Sequence, residues 1–528
     1  MAHTPLFRKL LLALQTARRE QLQAELRPAP IPPTEIGWNR RRFVKTSVAA
    51  GVGGLLAQSL PLPANAANGR KQPRIAVIGA GIAGLNAAYR LQKAGITATV
   101  YEARNRPGGR MLSTTINHGL NIDLGAELIN TDHRDMRALA KTFGIPLFDK
   151  LKDARRLPYP TEAYFFDGAS ISEAQLANDL AELAGQIGAD AGLLDSDWDT
   201  YAPSFDQLSV ADYLDHHADK IPAPYIHALM ENAMRTEFGV EAAESSALQL
   251  LFMLPMVDGQ SVELLSYSDE AFAVQGGSAA ITNALAAALA GHIQYGAVLK
   301  GIAHRDGRYG LDFGEQGRAE ADVVIVTLPF PALRRVNIQA PLPALFRRFI
   351  AEAGLGANEK LIAGFERRFW RQPAGFGVAA WTDLGFAEVW DESQRQPQRR
   401  DGALNFFLGG EPARQFDQTA DFKAVATRFI ADLDNFVPGA VAAANGAAVR
   451  SDWGNSPYTG GGYANFSPGQ LSKFAEYFWV EARPADAQQV VFDRLLFAGE
   501  HLSDAYYGFM EGGAQTGRLA AEWVLGEI

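Results

Sequence analysis

Gly79, Gly81 and Gly84 follow the apolar run Ile75 to Ile78 at the spacing Gly-x-Gly-x-x-Gly. In that setting each glycine has a task. Gly79 permits a tight turn, Gly81 lets the backbone approach a pyrophosphate, and Gly84 lets the next helix pack close on the strand. The spacing of Leu85, Ala88 and Leu91, with Gly95 as a stop, predicts that helix from about Ile82 to Ala94. Its N-terminus offers unpaired N–H groups and partial positive charge to phosphates. A second strand, Thr97 to Tyr101, delivers Glu102, a carboxylate placed to accept hydrogen bonds from a ribose. The unit binds a dinucleotide but does not say which one.

Two further segments decide that. Arg106-Pro107-Gly108-Gly109-Arg110 comes just after Glu102, and its glycines and cationic forks suit a diphosphate. Near the C-terminus stand Phe497-Ala498-Gly499-Glu500-His501 and Gly508-Phe509-Met510-Glu511-Gly512-Gly513. In this order and spacing the chain resembles the FAD-dependent amine oxidases, a family of monoamine, polyamine and L-amino-acid oxidases. The resemblance runs from about residue 73 to 525 and is thin between about 150 and 270. It implies an α/β fold: a Rossmann-type FAD-binding domain interleaved with an α+β substrate-binding domain. It also implies oxidation of a carbon–nitrogen bond.

The resemblance places Gly79, Gly81, Ala83, Gly84, Glu102, Arg104, Gly109, Arg110, Gly125, Ala126, Glu127, Leu128, Val298, Trp453, Gly499, Glu500, Phe509 and Met510 around the FAD. Val298 reads equally well as a core valine. Three residues carry the chemistry. Tyr463 ends the run from Trp453 to Tyr463, and Phe509 stands where a second tyrosine is common. In the family two such rings face each other and pass the amine between them toward the flavin. Lys360, in Asn358-Glu359-Lys360-Leu361-Ile362, matches a lysine that bonds a water near the flavin and assists its reaction with oxygen.

Substrate choice is less legible. Many L-amino-acid oxidases hold the substrate carboxylate with an arginine where this chain has Leu128. Either that partner lies elsewhere or the substrate has no carboxylate. Glu127 is placed to pair with a cationic group of the substrate, or to serve as a structural residue bonded to backbone N–H groups. The expected substrate is a basic L-amino acid such as L-arginine. A polyamine or an aryl monoamine is the alternative, as is a dehydrogenase that passes electrons to a carrier protein instead of oxygen. The run around Tyr463 argues against a flavoprotein acting on carbon–carbon bonds.

The chain of 528 residues is 47% apolar and 20% charged, which fits a globular protein of more than one ordinary domain. It has no cysteine. Disulfides, thiolate metal sites and thiol nucleophiles are therefore excluded, and no metal is expected. Some family members link the flavin to a cysteine just before the active-site tyrosine. Gly462 occupies that position here, so the FAD is expected to be non-covalent.

Residues 1–66 read as a targeting segment. Asn39-Arg40-Arg41-Arg42-Phe43-Val44-Lys45 resembles the twin-arginine export signal, and Ala64-Asn65-Ala66 a cleavage site. The expected partners are the amine substrate, oxygen and the twin-arginine (Tat) export machinery, with a periplasmic or secreted destination. Removing the leader's nine Lys/Arg and three Asp/Glu takes the net charge from −10 to about −16. That excess argues against nucleic-acid binding and favours a cationic substrate. A homodimer is compatible with the chain, though no residue argues for one. The expected order is FAD-binding residues 67–150, 266–332 and 464–528, with substrate-binding residues 151–265 and 333–463. The first of these substrate segments is expected to be helical, as at Ile171 to Ile187 and Val210 to Ala218, and the second to form a sheet over the active site. Between them a helix to about Ala290, strands near Gln294 to Lys300, and a buried parallel strand from Asp322 to Thr327 are expected.

Overall fold

The computed structural model describes residues 73–253, 255–259, 261–263, 268–482 and 487–527. The export segment read at 1–66 lies outside them. Ile75–Ile78 and Val323–Val326 are buried at every position. Strands apolar on both faces belong inside a parallel sheet covered on both sides. They sit at the centre of a six-stranded sheet. Its order is Ile293–Tyr295, Ala98–Glu102, Ile75–Ile78, Val323–Val326, Leu495–Phe497 and Val491–Phe492. The first five run parallel and the last is antiparallel. Ile75 lies opposite both Val323 and Ala98, so chain segments 248 residues apart share one register.

The helix after the first glycine turn spans Ile82–Lys93, with Gly81 as N-cap. A Cβ on Gly84 would come within 2.0 Å of the Gly79 carbonyl oxygen, so only glycine allows this packing. The C-terminal helix, Met510–Glu527, lies against it; a Cβ on Gly517 would stand 2.2 Å from the Ala83 carbonyl oxygen. Both helices thereby bring their N-termini to the same end of the sheet.

A second sheet of seven strands covers that end. Its order is Ala444–Arg450, Asn358–Phe365, Gly402–Gly409, Glu388–Asp391, Ala379–Thr382, Glu162–Phe166 and Ala169–Ile171. All neighbours are antiparallel except Ala379–Thr382 with Glu162–Phe166. A three-stranded ribbon of Leu128–Ile129, Phe272–Val274 and Leu147–Asp149 joins the two regions.

Several boundaries differ from the sequence reading. Glu102 is the last residue of its strand, which starts at Ala98. The helix expected to reach Ala290 is Ala279–Ala288. Only Ile293–Tyr295 is a strand in the stretch read as Gln294 to Lys300, because Gly296 turns the chain with φ +74°. Residues 151–265 are not purely helical. Glu173–Ser196, Val210–His216 and Pro224–Phe238 are helices, but Glu162–Phe166 and Ala169–Ile171 join the second sheet. Their alternation was hidden in a segment rich in helix formers.

Candidate active site

A cavity of about 970 Å³ runs from the glycine turn to the second sheet. It lies near the top of the roughly 300–1,000 Å³ range of ligand sites. Every residue assigned from the sequence to the FAD, the substrate or the chemistry lines it except Gly84. Gly84 faces the strand instead, and its place among the cofactor contacts is corrected to a packing role.

At the nucleotide end, Glu102 is buried. Its carboxylate accepts the Ala80 N–H at 2.8 Å and the Arg104 N–H at 2.8 Å. Two carboxylate oxygens have capacity for further donors. The Gly296–Val298 loop closes beside it, with the Ala297 N–H donating to the Glu102 carbonyl at 2.8 Å. Gly81 has no atom within 4 Å of where a Cβ would be, which leaves its backbone open to the cavity. Ile82–Lys93 and Met510–Glu527 both begin at this wall. Two helix N-termini, a buried carboxylate and the guanidinium of Arg104 fit a dinucleotide diphosphate and its ribose.

Farther along, Arg110 and Glu500 form an ion pair of 2.7 Å. Arg110 Nη1 also donates to the Gly462 carbonyl at 2.6 Å, one residue before Tyr463. Glu500 Oε2 accepts the Gly508 N–H at 2.7 Å, one residue before Phe509. A single, partly buried pair therefore ties down both aromatic walls. The Tyr463 hydroxyl donates to the Thr236 carbonyl. Burial, then Glu237, Glu270 and Glu388, push its pKa well above the usual 10, so the phenol stays neutral. Phe509 packs against His133 with ring centroids 4.9 Å apart and planes at 70°. His133 Nδ1 accepts the Asn130 N–H at 3.0 Å, and burial keeps the imidazole neutral by lowering its pKa well below the usual value.

Lys360 is held from behind. Its Nζ donates to Glu127 Oε2 at 2.8 Å and to the Asp123 carbonyl at 3.0 Å, which leaves one of three N–H bonds for the cavity. Burial opposes its charge, but Glu127, Glu392 and Asp123 outweigh it and raise its pKa. Arg395 completes the cluster, 2.9 Å from Asp123 and 3.4 Å from Glu127. Burial would raise Glu127, yet Lys360 and Arg395 hold its carboxyl well below the usual range. Burial and the Glu127 charge push Glu392 up to about 8. With Glu392 protonated, two cations face two anions. Glu127 thus has both oxygens engaged by the chain's own cations. The expectation that it pairs with a substrate cation is corrected: it anchors Lys360.

Other acids line the cavity outside that cluster. Glu162, Glu237, Glu270 and Glu388 line the cavity beside Tyr164, Trp381, Trp390 and Tyr463. Burial raises the pKa of all four, Glu162 to about 7 and Glu388 well above the usual 4.5. Glu270, Glu162 and Glu237 add to the rise at Glu388, so four carboxyl groups crowd one wall. They come from three strand or loop segments and one helix. The local signal was the alternation Glu162/Tyr164 and Glu388/Trp390, which puts an acid and an aromatic on one face of each strand. Among the described residues, Glu359, Asp417 and Asp452 are close enough to share a cation. Their carboxylates are already served by Ser451, backbone N–H groups and Arg450.

The model of the flavin-containing amine oxidoreductases matches residues 82–525. The chain belongs to that family. It is 24% identical over 467 residues to an L-amino acid dehydrogenase of Synechocystis sp. (strain ATCC 27184 / PCC 6803 / Kazusa), covering 85% of this chain and 94% of that protein. It is 26% identical over 479 residues to putrescine oxidase of Kocuria rosea, covering 86% and 95%. The fold matches the solved structure of a putrescine oxidase bound to putrescine, with a TM-score of 0.70 and 20% identity over 86% of this chain and 99% of that one. This flavin amine oxidoreductase uses FAD, and the cavity residues fit that cofactor at its nucleotide end. When bound, FAD accepts the two electrons and the hydrogen removed from the carbon beside an amine.

Proposed function

We propose that this enzyme oxidises the α-amine of a basic L-amino acid, L-arginine first among them, to an imine. Water then hydrolyses the imine to a 2-oxo acid and ammonium, and oxygen accepts the electrons to give hydrogen peroxide. The wall of Glu162, Glu237, Glu270 and Glu388 carries this reading. Glu162, Glu270 and Glu388 are half-buried and raise one another's pKa, so they favour their protonated forms until a cationic side chain among them lets them ionise and pair with it. Tyr463 and Phe509 supply apolar walls at the other end. An amine desolvated there loses its proton more readily, and the neutral form is the one that can become an imine. Lys360 holds a positive charge beside them, which favours build-up of negative charge on the cofactor side.

A diamine is the second reading, favoured by the same acidic wall and by the likeness to putrescine oxidase. Transfer of electrons to a carrier protein in place of oxygen is the third. Oxygen uptake and peroxide formation with L-arginine, L-lysine, putrescine and phenethylamine test the proposal. Peroxide formed fastest with L-arginine supports it; turnover of the amines alone contradicts it. We further propose that the FAD is non-covalent. There is no cysteine, and a Cβ on Gly462 would lie 2.6 Å from Asn358 Oδ1. Residues 1–66 are proposed to direct twin-arginine export to the periplasm or beyond.

A further inference from the structure

Lys150 is 6% exposed and lines the same cavity. Among the described residues its ammonium makes no hydrogen bond and no ion pair within 4 Å, although it feels the charges of Glu127, Glu270 and Glu388. A buried ammonium without a close partner is costly, and a ligand that supplies the partner removes the cost. The backbone of Lys150 is fixed on both sides. Its N–H donates to the Ala271 carbonyl at 2.9 Å, and its carbonyl accepts from Gln394 Nε2 at 3.0 Å. The position is therefore rigid and directed by the fold.

Its place in the ribbon gives the side chain a use. Leu128 lies opposite Ala273, and Ala273 lies opposite Phe148. Phe148 is thus two strands across from Leu128, and Lys150, two residues farther on and the first residue of the helix Lys150–Ala154, stands roughly 12 Å from Leu128 at about 4.8 Å per strand and about 3.3 Å per residue. Both residues reach the cavity. The acidic wall alone accepts any dication. A diamine adds two positive charges that draw on the same acids and brings no anion for Lys150. A molecule with two cationic nitrogens and one carboxylate matches all three charged features.

We infer that Lys150 is the anion-binding residue of the active site and holds the α-carboxylate of a basic amino acid. This rests on the proposed amino-acid function and deepens it: the carboxylate is recognised from position 150, and a diamine is discriminated against by the same ammonium. Lys150 is a binding residue and takes no part in bond making.

The test compares L-arginine with agmatine, its decarboxylated counterpart, by anaerobic flavin reduction of the holoenzyme. Apparent Kd values are measured for the wild type, Lys150→Met and Lys150→Arg. The wild type should bind L-arginine more tightly than agmatine. Lys150→Met should worsen the arginine-to-agmatine ratio of apparent Kd by about tenfold to a hundredfold, the loss expected for one charge-assisted contact. Lys150→Arg should restore most of it. An unchanged ratio in Lys150→Met overturns the inference. If the wild type reduces its flavin with agmatine and not with L-arginine, the inference also falls, while the cation-selecting wall stands. If neither compound reduces the flavin, binding of 5-guanidinopentanoate, which keeps the carboxylate but lacks the reactive amine, decides. Perturbation of the flavin spectrum by this compound in wild type, lost in Lys150→Met, supports Lys150 even though the substrate reading fails. No perturbation in wild type overturns both.

Discussion

Glu388→Gln offers a sharp test of the acidic wall. Glu388 is crowded by Glu270, Glu162 and Glu237, so its charge is held in place only if a cation arrives. An ammonium or guanidinium about 4 Å from a carboxylate gains about 4 kcal/mol at an effective dielectric of about 20. Desolvation returns part of this, and the loss of one charge-assisted contact is worth about 1.5–3 kcal/mol. KM for L-arginine or putrescine should therefore rise about tenfold to 150-fold, while KM for phenethylamine changes less than about threefold. Without substrate the Tm should change little, because Glu388 favours its uncharged form there and glutamine has nearly the same shape. The pH dependence has a defined sign. Glu162, raised to about 7, keeps its proton in the folded state where an unfolded glutamate has lost it. That stabilisation is complete below about 4.5 and is lost as pH rises through about 7. Cation binding needs the ionised form, so KM for the dication should fall as pH rises through about 7. Steady-state kinetics on both substrate types, with melting curves, read all of this. Equal changes in KM for the dication and the monoamine would refute the reasoning.

Acid precipitation of the purified enzyme should leave all yellow colour in the supernatant; colour retained in the pellet contradicts non-covalent FAD. Lys360→Met should slow the return of flavin colour on mixing with oxygen much more than it slows bleaching by substrate, and stopped-flow recording of each step separates them. Equal slowing of both removes Lys360 from the oxygen reaction. Arg40→Lys with Arg41→Lys should leave the FAD-loaded precursor in the cytoplasm, and normal export of that variant would contradict the targeting proposal.

The nucleotide end was legible because its signals are local. Gly79, Gly81, Gly84 and Glu102 lie within 24 residues and follow from strand and helix periodicity. The substrate end was not. Glu162, Glu237, Glu270 and Glu388 come from four separate elements, and nothing in the chain between them announces that they converge. The misplacement of Glu127 has the same origin. Its partner Arg395 is 268 residues away, and an acid beside a flavin site looks free until that arginine is seen. Lys150 opens a five-residue helix just after a three-residue strand, where the family resemblance becomes weak. The strands at Glu162–Ile171 were missed because they complete a sheet whose other members lie some 200 residues later. Pairing across that distance leaves no periodic mark on the segment itself.

The central claim is that this FAD amine oxidoreductase selects substrates carrying a second cationic group. Anaerobic mixing with equal concentrations of L-arginine, L-lysine, putrescine, phenethylamine and L-phenylalanine, followed by the rate of flavin bleaching, tests it most directly. The account predicts fastest bleaching with L-arginine and faster bleaching with all three cationic compounds than with the two aromatic ones. Faster bleaching with phenethylamine or L-phenylalanine than with any of the three would contradict it, and the acidic wall would then be a structural feature of the sheet.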